Sequence, residues 1–274
     1  MYPLLIIGVV ALALVLWVAL RGVIKERQRQ GIREQPFPAE WRKILRRRMP
    51  YFYLMPADLQ LQLKQHIQVF LAEKDFVGCD GIVIDDDIRV TIAAQACLLI
   101  LNRKTNYYPA LKSIYVYPSA FVARHQHTSA GGVVHEQRRV LSGESWSIGK
   151  VIVSWQHTVS GAQEPEDGQN VVIHEFAHQL DHETGDTNGV PLLNKDMSYQ
   201  QWSDVFNREF ELLKREINSG IDTLFDAYGA TNPAEFFAVA TEVFFEQSQA
   251  MLNRHPQVYG LLSKYFKVDP VSWC

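Results

Sequence analysis

Apolar residues recur at helical spacing in several stretches of this 274-residue chain. The clearest repeat, in which a leucine, isoleucine or phenylalanine returns every three to four positions, predicts a helix over residues 56–74. Similar patterns predict helices over 88–101, 202–217 and 259–266, although the β-branched start of 88–101 also permits a strand. Another helix is expected to begin at Asn232-Pro233, because Asn favours the N-cap and Pro the first helical position.

Two further stretches, residues 113–117 and 151–155, are rich in β-branched and aromatic side chains, which predicts strands. Short strands among many helices predict an α+β fold that is mostly helical with a small sheet. The strand at 151–155 could bind an extended peptide by adding it as a further strand, or it could be an interior strand with no free edge. Both interpretations are open from the sequence.

The segment His174-Glu175-Phe176-Ala177-His178 carries the strongest chemical signal. On a helix, residues four apart lie on one face, so both imidazoles can bind the same metal ion. Glu175 would then reach a metal-activated water and take its proton. The alternative is a helix whose histidines only form hydrogen bonds within the core. The preceding apolar residues predict a buried helix, which Asp167 or Asn170 could cap.

A hydrolytic zinc site needs a third protein ligand, and no histidine lies six residues after His178, where the chain has Thr184. His182 would lie two turns from His174 and is interpreted as a surface or second-shell residue. Glu235 is the better candidate, because its carboxylate lies in the first turn of an otherwise apolar helix and needs a partner. A first-turn acid is also favoured by the helix dipole alone, so this alternative stays open.

Three more residues are candidates for supporting roles. Tyr228, in a turn before the Glu235 helix, could donate a hydrogen bond to an oxyanion, or could be a core-edge aromatic. Asp181 and Glu242 could each orient a ligand histidine through its second ring nitrogen. The segment from Arg124 to Arg139 contains three histidines, and a mobile polar loop is favoured there over a second metal site.

Taken together, these motifs resemble those of the Mlc titration factor A family of zinc-dependent peptidases, which are of the gluzincin type. The resemblance extends from about Trp41 to the C-terminus. The segments that carry it are His174–Asp181, Tyr228, Asn232–Val239, Phe70–Gly78, Arg89–Leu98, Tyr115–Phe121 and Val140–Trp146.

This resemblance implies a zincin-like metallopeptidase domain with Zn2+ as its cofactor and a peptide or protein as its substrate. It implies His174, His178 and Glu235 as metal ligands, Glu175 as general base and Tyr228 as the residue that stabilises the oxyanion. Aminopeptidase and endopeptidase action are both open. Two rival functions are a membrane-associated quality-control protease and a regulatory binding protein that sequesters a transcriptional repressor of sugar uptake.

The N-terminus departs from this resemblance, because Tyr2 to Leu20 is an uncharged, apolar run of nineteen residues. At about 1.5 Å per residue, such a helix is just long enough to cross the hydrocarbon core. No Lys or Arg precedes Arg21, so a retained anchor is favoured over a cleaved signal peptide. We therefore predict a transmembrane anchor at 1–20, a basic juxtamembrane linker at 21–50 and a peptidase domain at 51–274.

Charge predicts the topology. Residues 21–50 contain ten Lys or Arg and three acids, whereas residues 51–274 carry a net charge of −10. Positive residues after the span predict a single-pass inner-membrane protein with its catalytic domain in the cytoplasm. The cluster Arg46–Arg48 could bind anionic lipid headgroups, or could be a solvated helix face. The acidic domain argues against nucleic-acid binding, and three cysteines indicate no disulfide framework.

Overall fold

The computed structural model describes residue 17 and residues 20–128, 134–141, 143–144 and 149–273, with only the backbone described between 121 and 144. These residues are mostly helical, with one small sheet and a separate two-stranded hairpin. The predicted mostly helical fold with a small sheet is confirmed. Helices α1 to α10 run over 20–33, Ala39–Arg48, Ala57–Glu73, Asp86–Leu98, Trp155–Gln163, Val171–Asp181, Tyr199–Asn218, Pro233–Glu246, Ser248–Arg254 and Pro256–Phe266.

The predicted helices are confirmed with small shifts at their ends, which follow from capping. Helix α4 begins at Asp86 because the side chain of Asp85 accepts a hydrogen bond from the backbone N–H of Ile88 at 2.9 Å. Helix α7 begins at Tyr199 because Ser198 caps it in the same way. The β-branched start of α4 is therefore helical, since a good cap and burial outweigh the modest strand preference of those residues.

The sheet contains β1 (Asp75–Gly78), β2 (Ser113–Tyr117), β5 (Gly143–Glu144) and β6 (Lys150–Ser154) in the order β1-β2-β6-β5. Strands β1, β2 and β6 are parallel, and β5 is antiparallel to β6. Both strands predicted from the sequence are confirmed as β2 and β6. Peptide addition to β6 is wrong as a prediction, because β2 and β5 occupy its two edges.

A hairpin of β3 (Phe121–Thr128) and β4 (Val134–Leu141) covers the segment that was expected to be a loop. The strands pair along their whole lengths in antiparallel register, from Phe121 opposite Leu141 to Thr128 opposite Val134. The prediction of a mobile polar loop is therefore wrong for these residues. The alternative of a second metal site concerns side chains that lie outside the described part of the structure.

Helix α8 is the central element of the core. Twelve of its fourteen residues are buried, as expected for a helix that is apolar on nearly all sides. Its aromatic side chains pack against α7, where Trp202 stacks on Phe206 with ring centroids 4.2 Å apart and meets Phe237 edge to face. Helix α6 packs against α8, against α4 and against strand β6. These contacts fix the positions of the two helices that carry the candidate metal ligands.

The segment 21–50, predicted as a linker, is helical over most of its length and packs against the rest of the molecule. In α1, the buried Arg29 donates two hydrogen bonds to the carboxylate of Glu73, at 2.6 and 2.9 Å. It also donates to the side chain of Asn106 at 2.9 Å. In α2, Arg47 and Arg48 both form ion pairs with Asp87 at the start of α4. This single carboxylate offsets only one of the two positive charges.

The predicted membrane anchor, Tyr2 to Leu20, lies outside the described residues except for Trp17 and Leu20. Within the part of the chain that the structure describes, no helix has both the length and the apolar character that a membrane span requires. The anchor and the division into three segments therefore stay predictions.

Candidate metal centre

Helix α6 presents the two histidines of the motif on one face. Asn170 is its N-cap and accepts a hydrogen bond from the backbone N–H of Ile173 at 3.0 Å, which selects between the two predicted caps. The helix ends at Asp181 and continues as a 3₁₀ turn, after which Gly185 adopts the left-handed conformation with φ +98°. His174 and His178 lie one turn apart, with ring centroids separated by 4.9 Å.

Helix α8 supplies the third group. Asn232 caps this helix by accepting hydrogen bonds from the backbone N–H groups of Ala234 and Glu235 at 2.9 and 3.1 Å. Pro233 is its first residue, as the sequence predicts. Glu235 is thereby fixed in the first turn, where its carboxylate faces the two imidazoles.

The three candidate ligands converge on one point. Oε2 of Glu235 lies 3.0 Å from Nε2 of His174 and 3.2 Å from Nε2 of His178. The two Nε2 atoms are 3.2 Å apart. Ligand atoms about 2.0–2.1 Å from a tetrahedral zinc ion lie roughly 3.3 Å from one another. Two imidazole nitrogens and one carboxylate oxygen at this spacing therefore fit a tetrahedral metal ion.

A loop after α6 holds the start of α8 in place. Oδ2 of Asp181 accepts a hydrogen bond from the backbone N–H of Gly189 at 2.7 Å, and the Gly189 carbonyl accepts one from Nε1 of Trp202 at 3.0 Å. Gly189 has φ +80°, and a Cβ there would lie 2.4 Å from the carbonyl oxygen of Pro233. Only glycine allows this close approach. The contact keeps the first turn of α8, and hence Glu235, beside α6.

Asp181 does not orient a histidine in this structure. Its Oδ1 atom is buried, as is Nδ1 of His178, and neither has a hydrogen-bond partner among the described residues. The pKa of the Asp181 carboxyl is raised overall, because the effect of burial exceeds the lowering effect of the backbone hydrogen bonds around Gly189. Asp181 therefore stabilises the loop at 188–190 through its hydrogen bond from Gly189. The hydrogen bond that the sequence suggested, from Asp181 to a ligand histidine, is absent among the described residues.

Glu242 does orient a histidine. Its Oε1 lies 2.6 Å from Nδ1 of His174, and its Oε2 accepts a hydrogen bond from the backbone N–H of Asn170 at 2.6 Å. The side-chain amide of Asn170 donates to the Gly161 carbonyl at 3.0 Å and to Glu246 at 2.9 Å. This buried network joins α5, α6 and α8 and directs Nε2 of His174 toward the centre.

Electrostatics at the centre follow from burial and from the neighbouring carboxylates. Burial alone would lower the pKa of His174, but Glu242 and Glu235 raise it well above the usual value. Burial raises the pKa of Glu235, yet hydrogen bonds from His174 and His178 leave it lowered overall. The neighbouring carboxylates of Glu242 and Glu235 thus favour the protonated form of His174. A metal ion binds an unprotonated nitrogen, so metal binding competes with protonation.

Beside the centre lies a cleft with a volume of about 350 Å³. His174, Glu175 and Tyr228 line it, so the structure brings the predicted base and the predicted oxyanion donor to the same cavity. Glu175 is only 4% exposed, whereas Tyr228 is 45% exposed, with its ring centroid 5.9 Å from that of His174. Tyr228 is placed by Asp226, whose carboxylate accepts the Tyr228 backbone N–H at 2.7 Å.

Sequence reasoning missed another residue of this cleft. His157, in the first turn of α5, lines the cavity, and its Nδ1 lies 2.9 Å from Oγ of Ser154. The signal that could have found it is Ser154, a good N-cap residue near the end of the predicted strand at 151–155, which places a helix start at the end of β6. His182, by contrast, lies outside the centre and within 3.3 Å of Oγ1 of Thr187, in agreement with its interpretation as a non-ligand.

The described residues thus contain one group of His, Cys, Asp or Glu side chains whose ligand atoms could hold a metal ion, and all of these atoms lie within 4.8 Å of one another. With a glutamate after the first histidine, this group has the His-Glu-x-x-His pattern that is typical of zinc metallopeptidases. A model of the glucose-regulated metallo-peptidase M90 family matches residues 23–267. The chain belongs to this family.

Curated relatives agree over most of the chain. Uncharacterized protein slr2042 of Synechocystis sp. is 42% identical over 242 residues, which cover 88% of each chain. Mlc titration factor A of Yersinia enterocolitica is 30% identical over 240 residues, covering 85% of this chain and 87% of the relative. The protein of that name from Escherichia fergusonii is 30% identical over 226 residues, covering 81% and 84%. The resemblance to the Mlc titration factor A family is confirmed.

Proposed function

We propose that this protein is a zinc-dependent peptidase that hydrolyses peptide bonds with Glu175 as its general base. The observation that supports this most strongly is the convergence of two histidine nitrogens and one glutamate oxygen at 3.0–3.2 Å. Such a set leaves a fourth tetrahedral position for water, which distinguishes hydrolytic zinc sites from structural sites with four protein ligands. The buried Glu175 lies on the same helix and lines the adjoining cleft.

In this proposal, His174, His178 and Glu235 hold the metal ion. A bound Zn2+ lowers the pKa of a water and polarises the scissile carbonyl. Glu175 accepts the proton of the attacking water and delivers it to the amine of the leaving group. Tyr228 donates a hydrogen bond from its phenol to the oxyanion that develops on the carbonyl. Glu242 keeps Nε2 of His174 directed at the metal.

The second candidate function is a regulatory binding protein. It is favoured by the name of the relatives that are about 30% identical, Mlc titration factor A, since a titration factor acts on a partner. For this chain, the equivalent partner would be a transcriptional repressor. This function needs no general base, whereas the chain places a buried glutamate between its two histidines.

We further propose that the apolar run from Tyr2 to Leu20 anchors the protein in the inner membrane and leaves the peptidase domain in the cytoplasm. The support is the uncharged sequence of that run and the ten Lys or Arg between residues 21 and 50. The test is cysteine accessibility in intact cells for a single cysteine placed after residue 50, since a cytoplasmic domain would be protected from a membrane-impermeant reagent.

A peptide library tests the peptidase proposal. The purified full chain, loaded with zinc, is expected to cleave library peptides, and a chelator is expected to abolish cleavage until zinc is restored. Trimming by one residue from the N-terminus would identify an aminopeptidase, and internal cuts an endopeptidase. If no peptide is cleaved in a chelator-sensitive way, the binding-protein function becomes the better account.

A further inference from the structure

A second cavity lies between α1, the end of α3 and the segment that leads into β2. It has a volume of about 460 Å³ and an open mouth. Four cationic side chains line it: Arg21 and Lys25 from α1, Lys74 at the end of α3, and Lys112 just before β2. Among its lining residues, Glu73 is the one carboxylate.

The positive charge of this cavity is not compensated by Glu73. That carboxylate already accepts both hydrogen bonds from the buried Arg29, which holds its pKa below the usual value against the effect of burial. Lys25 lies 3.4 Å from it. Lys74 is buried and uses two of its three donors on the backbone carbonyls of Tyr108 and Leu111, at 2.8 and 2.7 Å. The cavity therefore has an excess of cations that suits an anion.

An apolar surface adjoins the same cavity. Trp17, Leu20, Val23 and Ile24 are each at least half exposed, and Ile24 also lines the cavity. Leu20 and Ile24, four residues apart, lie on one face of α1. The guanidinium of Arg21 lies over the Trp17 ring, 3.6 Å from its centroid. A cationic pocket below an exposed apolar face matches the boundary between lipid headgroups and acyl chains.

We propose that this cavity binds the phosphate of an anionic membrane lipid, with Arg21, Lys25 and Lys112 around the phosphate and Leu20 and Ile24 against the glycerol and upper acyl carbons. The uncharged run from Tyr2 to Leu20 leads directly into this surface along the chain, which favours a lipid over a soluble phosphate. The inference rests on the proposed membrane location and is independent of the peptidase proposal.

The attachment of α1 to the rest of the domain means that a lipid bound at this cavity would also orient the domain. Because Arg29 is fixed to Glu73 and Asn106, a lipid held at Arg21 and Lys25 would set the orientation of the whole domain against the membrane. The cavity contains none of the residues that line the cleft beside the metal centre. Loss of lipid binding should therefore leave hydrolysis of a soluble peptide unchanged.

Native mass spectrometry of the full chain in neutral detergent micelles tests the proposal. The probes are phosphatidylglycerol, phosphatidylcholine and inorganic phosphate, each titrated separately. We expect retention of phosphatidylglycerol over phosphatidylcholine. The double variant Lys25→Gln/Lys112→Gln is expected to bind phosphatidylglycerol about tenfold to thirtyfold more weakly, because each cationic residue near an anionic surface contributes about a fivefold factor. The matched control Lys195→Gln/Lys214→Gln changes two lysines outside the cavity, one exposed and one half-buried, and should behave as wild type.

Three results would overturn the proposal: equal retention of the two lipids, equal loss of phosphatidylglycerol in both double variants, or inorganic phosphate that binds as tightly as the lipid. The third would make the cavity a site for soluble anions. Peptide hydrolysis, measured in the same samples, separates these outcomes from a failure of the peptidase proposal.

Discussion

At the scale of single residues, Glu242 and Glu246 lie one turn apart on α8 but have different roles. Glu242 contacts Nδ1 of His174 and accepts the Asn170 backbone N–H, so both of its oxygens are acceptors in this network. Glu246 accepts only from the side-chain amide of Asn170, at 2.9 Å. Burial raises the pKa of Glu246 to about 9, so it is a neutral acid at pH 7.

Glu242→Gln tests the positioning role. Glutamine keeps the shape, but one of its two terminal atoms is a donor, so it cannot accept hydrogen bonds from both His174 and Asn170. We expect zinc affinity to fall about 10–100-fold, as is typical when a residue that orients a metal ligand is changed. Competition with a chromophoric chelator measures this affinity. Glu246→Gln is the matched control, and equal affinities for the two variants would contradict a positioning role for Glu242.

Glu246→Gln has its own expected effect, on the pH dependence of stability. The folded protein keeps the Glu246 proton up to about pH 9, whereas the unfolded chain loses it near the ordinary value of 4.5. Between these values, the free energy of unfolding falls as pH rises, by at most about 1.4 kcal/mol per pH unit. Glutamine does not titrate, so the stability of the variant relative to wild type should increase from pH 5.5 to pH 8. Denaturant unfolding at the two pH values measures it, and an unchanged difference would refute the buried neutral acid.

The residues of the centre differ in how far the sequence predicts them. His174, Glu175 and His178 are local in sequence, so helical spacing alone places them together. Glu235 was inferable because a cap and a proline fix the start of its helix. The contact between Gly189 and Pro233 could not be inferred from the sequence, because it depends on the close approach of two segments that are far apart along the chain.

At the scale of elements, the sequence predicted the long periodic helices but did not predict the shortest helix, the shortest strand or the hairpin. Helix α9 has seven residues and β5 has two, which is too few for a periodic pattern to show. The hairpin of β3 and β4 is rich in polar residues and lacks the regular apolar alternation by which a half-buried strand is recognised in a sequence. The buried position of β6 likewise depends on β5, so the sequence could not decide whether β6 had a free edge.

Helix α1 shows how one side chain can attach an element. Arg29→Ala removes both hydrogen bonds to Glu73 and the two to Asn106, at a cost of about 2 kcal/mol, since charged hydrogen bonds that are largely buried are among the strongest. Amide hydrogen exchange over residues 20–33 should become faster, while exchange in α6 should not change. Arg27→Ala alters an exposed arginine of the same helix and is the control. Slow exchange of α1 in the Arg29 variant would contradict this attachment.

At the scale of the whole molecule, the basic N-terminal segment and the acidic remainder have separate sites. The metal centre lies between α6 and α8, with its cleft bordered by Glu175 and Tyr228. The cationic cavity lies at α1 and the end of α3. The charge distribution predicted a basic linker at 21–50, but it could not show that α1 within this segment is attached to the rest of the molecule through Arg29. A peptidase held in this way would present its cleft in a fixed orientation to the membrane.

The measurement that tests the central claim most directly combines zinc content and peptide hydrolysis for Glu175→Gln in the full chain. The substitution keeps the volume of the side chain and leaves the three candidate ligands in place, so we expect one zinc ion per chain, as in wild type. Hydrolysis should fall by about 10²–10⁴-fold, because the proton acceptor is lost. Zinc-loaded Glu175→Gln that cleaves peptides at the wild-type rate would contradict the claim that this centre is a peptidase with Glu175 as its base.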